Sequence, residues 1–159
     1  SLRSTILKSL RSMNKDFGVP IFYITHDLTT AYHISDYILI LYQGAVVEAG
    51  DVDSVIRDPQ HPYTQLLVAS IPWPDPRLEW GDIDIIVPET KINYNELEGC
   101  KFAPRCPHVM DICHKVPPHL FKMGEERVAA CYLYQDSQYL ERGNMSALFR
   151  EEEVQFEAD

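Results

Sequence analysis

Two short apolar runs, residues 19–25 (VPIFYIT) and 37–43 (YILILYQ), are joined by the eleven residues HDLTTAYHISD. A short, nearly continuous apolar run rich in β-branched and aromatic residues suits a strand buried on both faces. The link between them is long enough for a short helix. Upstream, Leu2, Ile6, Leu7, Leu10 and Met13 recur at helical spacing and Gly18 follows, so residues 2–17 read as an amphipathic helix. Gly44 turns the second run into AVVEAG, whose apolar positions suit a hairpin partner. Helix alternating with buried strand is the α/β pattern. A helix with no strand before it reads as the tail of a larger α/β domain.

Beyond Ser70 the character of the chain changes. Residues 71–82 (IPWPDPRLEWGD) hold three prolines and two tryptophans, too proline-rich for a helix or a central strand. This stretch is expected to be a connector laid on a surface by Trp73 and Trp80. From Gln135 the chain turns acidic and reads as a solvated helix with a frayed end. The expected division is 1–71 for the α/β piece, 72–134 for the connector and a cysteine-bearing extension, and 135–159 for the acidic tail. A net charge of −10 argues against a nucleic-acid partner, which needs clustered Lys and Arg. No apolar run approaches the roughly 20 residues that span a bilayer. No basic, apolar and small-residue series marks an export signal, so a cytosolic setting is expected.

All four cysteines lie late in the chain, at 100, 106, 113 and 131. In a cytosolic setting clustered cysteines favour a metal or redox role over disulfides. The spacing lacks the tight C-x2-4-C knuckle of zinc ribbons and fingers, so zinc is open but not signalled. Iron–sulfur clusters are also held by four thiolates, at more varied spacings. Between Cys100 and Cys131, Lys101, Arg105, Lys115, Lys122 and Arg127 outnumber Asp111, Glu125 and Glu126, and such cations would offset the charge of four thiolates. Unliganded or oxidised cysteines are the remaining alternative.

His26 ends the first apolar run, where open α/β sheets bind ligands. Taken alone it is as easily a satisfied polar strand end. The order THDL (25–28), SDYILILYQGAVVEAG (35–50) and DPQHPYTQLLVASIP (58–72) closely resembles the C-terminal part of ABC transporter ATP-binding subunits of the oligopeptide/dipeptide branch. The resemblance implies a P-loop NTPase fold and makes His26 the switch histidine, which contacts the γ-phosphate of ATP and helps set up the hydrolytic water. HPYT at 61–64 is the mark that separates this branch from ABC ATPases at large. As a local feature it reads as a helix N-terminus, with Pro62 in the first turn. His61, His33 and the histidines near the cysteines read as surface or packing residues.

The glycine-rich phosphate loop, the Walker B carboxylates, the glutamine loop and the signature sequence are missing from this chain, and the family's order places them upstream of Ser1. Alone, the chain is expected neither to bind ATP and magnesium tightly nor to hydrolyse ATP. The full subunit would power import of peptides, or of nickel or oligosaccharide. Its partners would be a second ATPase subunit, transmembrane permease subunits and, indirectly, a solute-binding protein. It would sit on the cytoplasmic face of the membrane. GCKFAPRCPHVMDICHKVPP (99–118) with RVAACYLY (127–134) resembles the cysteine-bearing extension of some members, which implies that Cys100, Cys106, Cys113 and Cys131 hold a four-iron four-sulfur cluster. The competing reading is a free-standing metal-bound interaction or redox-sensing domain.

Overall fold

The computed structural model describes residues 2–71, 91–141 and 145–148. They fall into two units, residues 2–35 and residues 36–148. The connector with Trp73 and Trp80 lies outside the described residues, as does most of the acidic tail.

In the first unit the expected helix is present as α1 (Leu2–Phe17). It ends where Gly18 adopts φ 64° and donates its N–H to the Asn14 carbonyl at 2.8 Å, a left-handed stop that costs glycine little. The expected strand at 19–25 does not form. These residues take no regular structure, and Phe22 and Ile24 stand 91% and 97% exposed. Strand geometry is stable only when a ladder satisfies its backbone groups, and no described strand pairs with this run. The linking helix does form, as α2 (Leu28–Ile34). Asp27 caps it, accepting from the Thr30 N–H at 3.1 Å and the Thr30 hydroxyl at 2.8 Å.

The second unit is built on one antiparallel five-stranded sheet of order β1-β2-β4-β3-β5. β1 (Tyr37–Tyr42) and β2 (Ala45–Asp51) form the expected hairpin. Its two-residue loop, Gln43 and Gly44, has positive φ at both positions, the turn whose twist matches that of the strands it joins. α3 (Val52–Arg57) and α4 (Pro62–Ala69) follow. The next three strands are short: β3 (Leu120–Lys122), β4 (Arg127–Ala129) and β5 (Tyr139–Leu140). Tyr139 and Leu140 belong to the stretch expected to begin a helix, but they pair with Phe121 and Leu120. The sheet therefore draws strands from both sides of residues 72–90.

Register sorts the side chains into two cores. Ala49 pairs with Val128 and Leu120 with Leu140, and this face gathers Ala49, Val128, Leu140 and Leu148 into an aliphatic core. One residue along, Glu48 pairs with Ala129 and Ala129 with Phe121. Alternation sends these residues to the opposite face. Phe121 joins Ala103, Cys113 and Tyr132 there in the second core, which Cys100 lines. The cysteines thus share a sheet face with the buried carboxylate Glu48.

Candidate functional site

Cysteine placement follows from short turns rather than from long elements. Cys100 donates its N–H to the Cys113 carbonyl at 2.7 Å, which brings the first and third cysteines together. Gly99 permits that approach, because a Cβ there would fall on the Cys113 carbonyl oxygen. Tight 3-10 turns, Ala103–Arg105 and Asp111–His114, set Cys106 and Cys113. Cys131 arrives from the end of β4, where the Ala130 N–H bonds the Val47 carbonyl at 2.8 Å. All four thiols are free; Cys106 and Cys113 are buried and Cys100 and Cys131 half-buried.

The four lie near enough to act on one another electrostatically. Burial pushes the Cys100 and Cys106 thiols up and Cys131 up to about 12, and in each case the neighbouring cysteines add to the rise. Backbone N–H groups oppose it. Phe102 and Ala103 donate toward the Cys100 sulfur, His108 toward Cys106 and Leu133 toward Cys131. Three sulfurs thus each receive an N–H from the second residue on, a pattern that stabilises thiolates. Burial thus favours the protonated form of Cys100, Cys106 and Cys131, while the N–H groups aimed at these three sulfurs favour the ionised form. Among the described residues no three His, Cys, Asp or Glu side chains are arranged to hold a metal ion. A metal centre on these cysteines is accordingly a proposal.

The HPYT turn lies beside this centre. His61 is 1% exposed and its Nδ1 accepts the Tyr63 N–H at 3.0 Å, so the histidine is the N-cap of α4. Burial holds its imidazole down at about 4, hence neutral. Glu48, fully buried on β2, accepts the Gln60 N–H at 3.0 Å and the His61 N–H at 2.9 Å. Burial raises its pKa, while those two N–H groups pull the other way. Phe102 closes the group, with ring centroids 5.9 Å from His61 and 5.5 Å from Tyr63.

His26 sits in the first unit, exposed at a bend. Its neighbours are fixed: the Asp27 N–H bonds the Thr25 hydroxyl at 3.0 Å, and Asp27 caps α2. The imidazole between them faces solvent. His33, His108, His114 and His119 are also exposed, whereas His61 packs inside. Glu48, Gly99, Phe102 and Tyr134 were missed by the sequence reading. For Glu48 there was a signal, a carboxylate in the middle of the apolar strand AVVEAG.

Comparison with known proteins covers most of the chain. Residues 47–113 match the family described as the oligopeptide/dipeptide transporter, C-terminal region. A putative oligopeptide transport ATP-binding protein of Bacillus subtilis is 35% identical over 143 residues, which is 89% of this chain and 44% of that protein. A putative peptide import ATP-binding protein of Brucella abortus is 37% identical over 84% of the chain and 39% of its own length. The oligopeptide transport ATP-binding protein OppF of Escherichia coli is 36% identical over 76% of the chain and 36% of its own length. The chain thus spans less than half the length of these relatives. Because the likeness extends far beyond the cysteines, it gives no support to a free-standing metal-bound domain. Over most of its length the chain is similar to oligopeptide/dipeptide-type ABC transporter ATP-binding proteins, and residues 47–113 match the C-terminal region of that transporter family.

Proposed function

We propose that this chain is the C-terminal part of a subunit that binds and hydrolyses ATP to drive import of peptides, or of a related solute, across a membrane. The observation that carries this reading is the HPYT turn, which lies inside the matched C-terminal region at residues 61–64. Residues 1–71 supply the end of a P-loop ATPase domain, residues 72–134 the connector and cysteine-bearing extension, and residues 135–159 the acidic tail. In the complete subunit the segment around His26 meets the nucleotide, with magnesium, held by the remainder of the protein. His26 contacts the γ-phosphate and positions the attacking water. A second ATPase subunit and the permease subunits complete the transporter on the cytoplasmic face of the membrane, and a solute-binding protein delivers the cargo. No helix among the described residues is long and apolar enough to cross a membrane.

His26→Ala in the complete subunit tests this reading. ATP turnover is expected to fall about 100-fold, the lower end of what a positioned acid–base group contributes. ATP affinity is expected to change little. Unchanged turnover would remove His26 from the site.

Cys100, Cys106, Cys113 and Cys131 are the proposed ligands of a four-iron four-sulfur cluster. Support comes from the Cys100–Cys113 backbone contact, from all four cysteines being free of disulfides and from the N–H groups aimed at three of the sulfurs. When bound, such a cluster would tie together turns that hold little regular structure, contributing its binding free energy to folding. Iron and acid-labile sulfide, measured on protein purified without oxygen, decide it. Near-equal amounts, about four of each per chain, are expected; one zinc without sulfide would put a structural zinc site in its place, and neither metal would leave the cysteines as packing residues.

A further inference from the structure

Two side chains leave the cysteine turns and reach the start of α4. Phe102, two residues after Cys100 and 2% exposed, packs on His61 and Tyr63 and stands edge-on to Tyr42 at 5.2 Å. Tyr134, three residues after Cys131, lies against the core that holds Cys113 and donates its hydroxyl to the Gln60 carbonyl at 3.2 Å. Both depend on cysteine backbone for their positions. The Ala103 N–H bonds the Cys100 carbonyl at 3.1 Å, and the Tyr134 N–H bonds the Cys131 carbonyl at 3.1 Å. A displacement of Cys100 or Cys131 therefore carries Phe102 or Tyr134 with it.

The turn they touch is also held from the sheet. Glu48 receives the Gln60 and His61 N–H groups, and Arg127 donates to the Ser54 and Asp58 carbonyls at 3.0 and 2.7 Å. The sheet contacts come from paired strands and place the turn. The Phe102 and Tyr134 contacts come from short 3-10 turns with few ladder bonds of their own, so less of the sheet holds them in place.

We propose that the four-cysteine centre and the N-terminus of α4 open and close as one unit, with Phe102 and Tyr134 as the positioning residues that couple them. Occupation or modification of the thiols then sets the order of the HPYT turn, and loosening the turn exposes the thiols by the same factor. The choice of iron–sulfur ligand rests on the function proposed above. The coupling does not, so its test uses reduced, metal-free protein.

In the 159-residue chain, amide exchange at residues 60–69 and iodoacetamide labelling of Cys131 are followed together by mass spectrometry. Three proteins are compared: wild type, Tyr134→Phe and Leu133→Ala. Tyr134→Phe keeps the ring and deletes the hydroxyl. Both rates are expected to rise by the same factor, about fivefold for the loss of one hydrogen bond. Leu133 lies in the same turn but faces solvent, so its replacement is expected to leave both rates unchanged. A rise in one rate alone, no change in either with Tyr134→Phe, or an equal effect of Leu133→Ala would overturn the coupling. If iron and sulfide are absent and the two rates still move together, the cluster assignment fails while the coupling stands.

Discussion

His61 sits in a place where its charge cannot follow the solvent. Buried against Phe102, it serves α4 as a neutral acceptor through Nδ1, and its pKa falls from 6.5 to about 4. Between those values the unfolded chain binds a proton that the folded chain refuses, so this residue's contribution to stability falls as pH drops through the window. Glu48 acts with the opposite sign. Its folded-state pKa is raised, so what it contributes is present at low pH and lost as pH rises through that raised value. Replacing His61 with Asn keeps a capping acceptor and removes the titration. At pH 7 wild type is expected to be more stable by about 2 kcal/mol, from ring packing and the cap. The gap is expected to close as the pH falls toward 4, since only wild type then has a suppressed proton to bind. Urea unfolding of both proteins across that range checks it, with Glu48 common to both; a gap that stays constant would mean that His61 is not buried neutral. The sequence made the helix start legible, because Pro62 fits a first turn, but it marked His61 as a surface or packing residue and not as the cap. It gave no sign that the ring is buried, since a histidine before a helix is usually wet.

Elements were legible in proportion to their length and their turn chemistry. α1 announced itself through helical spacing and Gly18, and the β1–β2 hairpin through two apolar runs about a Gln43–Gly44 turn. β3, β4 and β5 have three, three and two residues. So few positions cannot display an alternation, and pairing across the sheet decides them instead. The cysteine centre was legible as residue types, four cysteines and the histidine of HPYT, but the way these come together was not. That depends on Gly99 packing against Cys113 and on a register that turns Glu48 toward the cysteine face. β2 and α4 are joined chiefly through that carboxylate, which receives two backbone N–H groups at a helix N-terminus. Glu48→Gln keeps the shape and one acceptor oxygen but brings an amide N–H toward donors. A loss of about 2 kcal/mol is expected in urea unfolding, with faster amide exchange in α4 than in β1. A neutral substitution would mean that the aromatic packing of Tyr42, Tyr63 and Phe102 suffices to dock the helix.

At the scale of the molecule, the largest departure from the sequence reading is residues 19–25. Their composition specifies a buried strand, yet Phe22 and Ile24 are exposed and the run lacks a ladder partner among the described strands. Composition records the environment for which a segment was selected, and that environment includes neighbours beyond the segment itself. The relatives are more than twice as long as the matched stretch, which leaves ample chain to supply adjacent strands in the complete subunit. Amide exchange at residues 21–24 separates the possibilities. In the 159-residue chain these amides are expected to exchange at nearly unprotected rates, as exposed backbone without a ladder does. In the complete subunit they are expected to be protected at least about 100-fold, the mark of a central strand that opens only rarely. The same burial would place His26, directly after the run, at a strand end instead of a solvent bend, where open α/β sheets receive their ligands. Fast exchange in both proteins would show that the run is never a strand and would leave His26 without the scaffold that its proposed role requires.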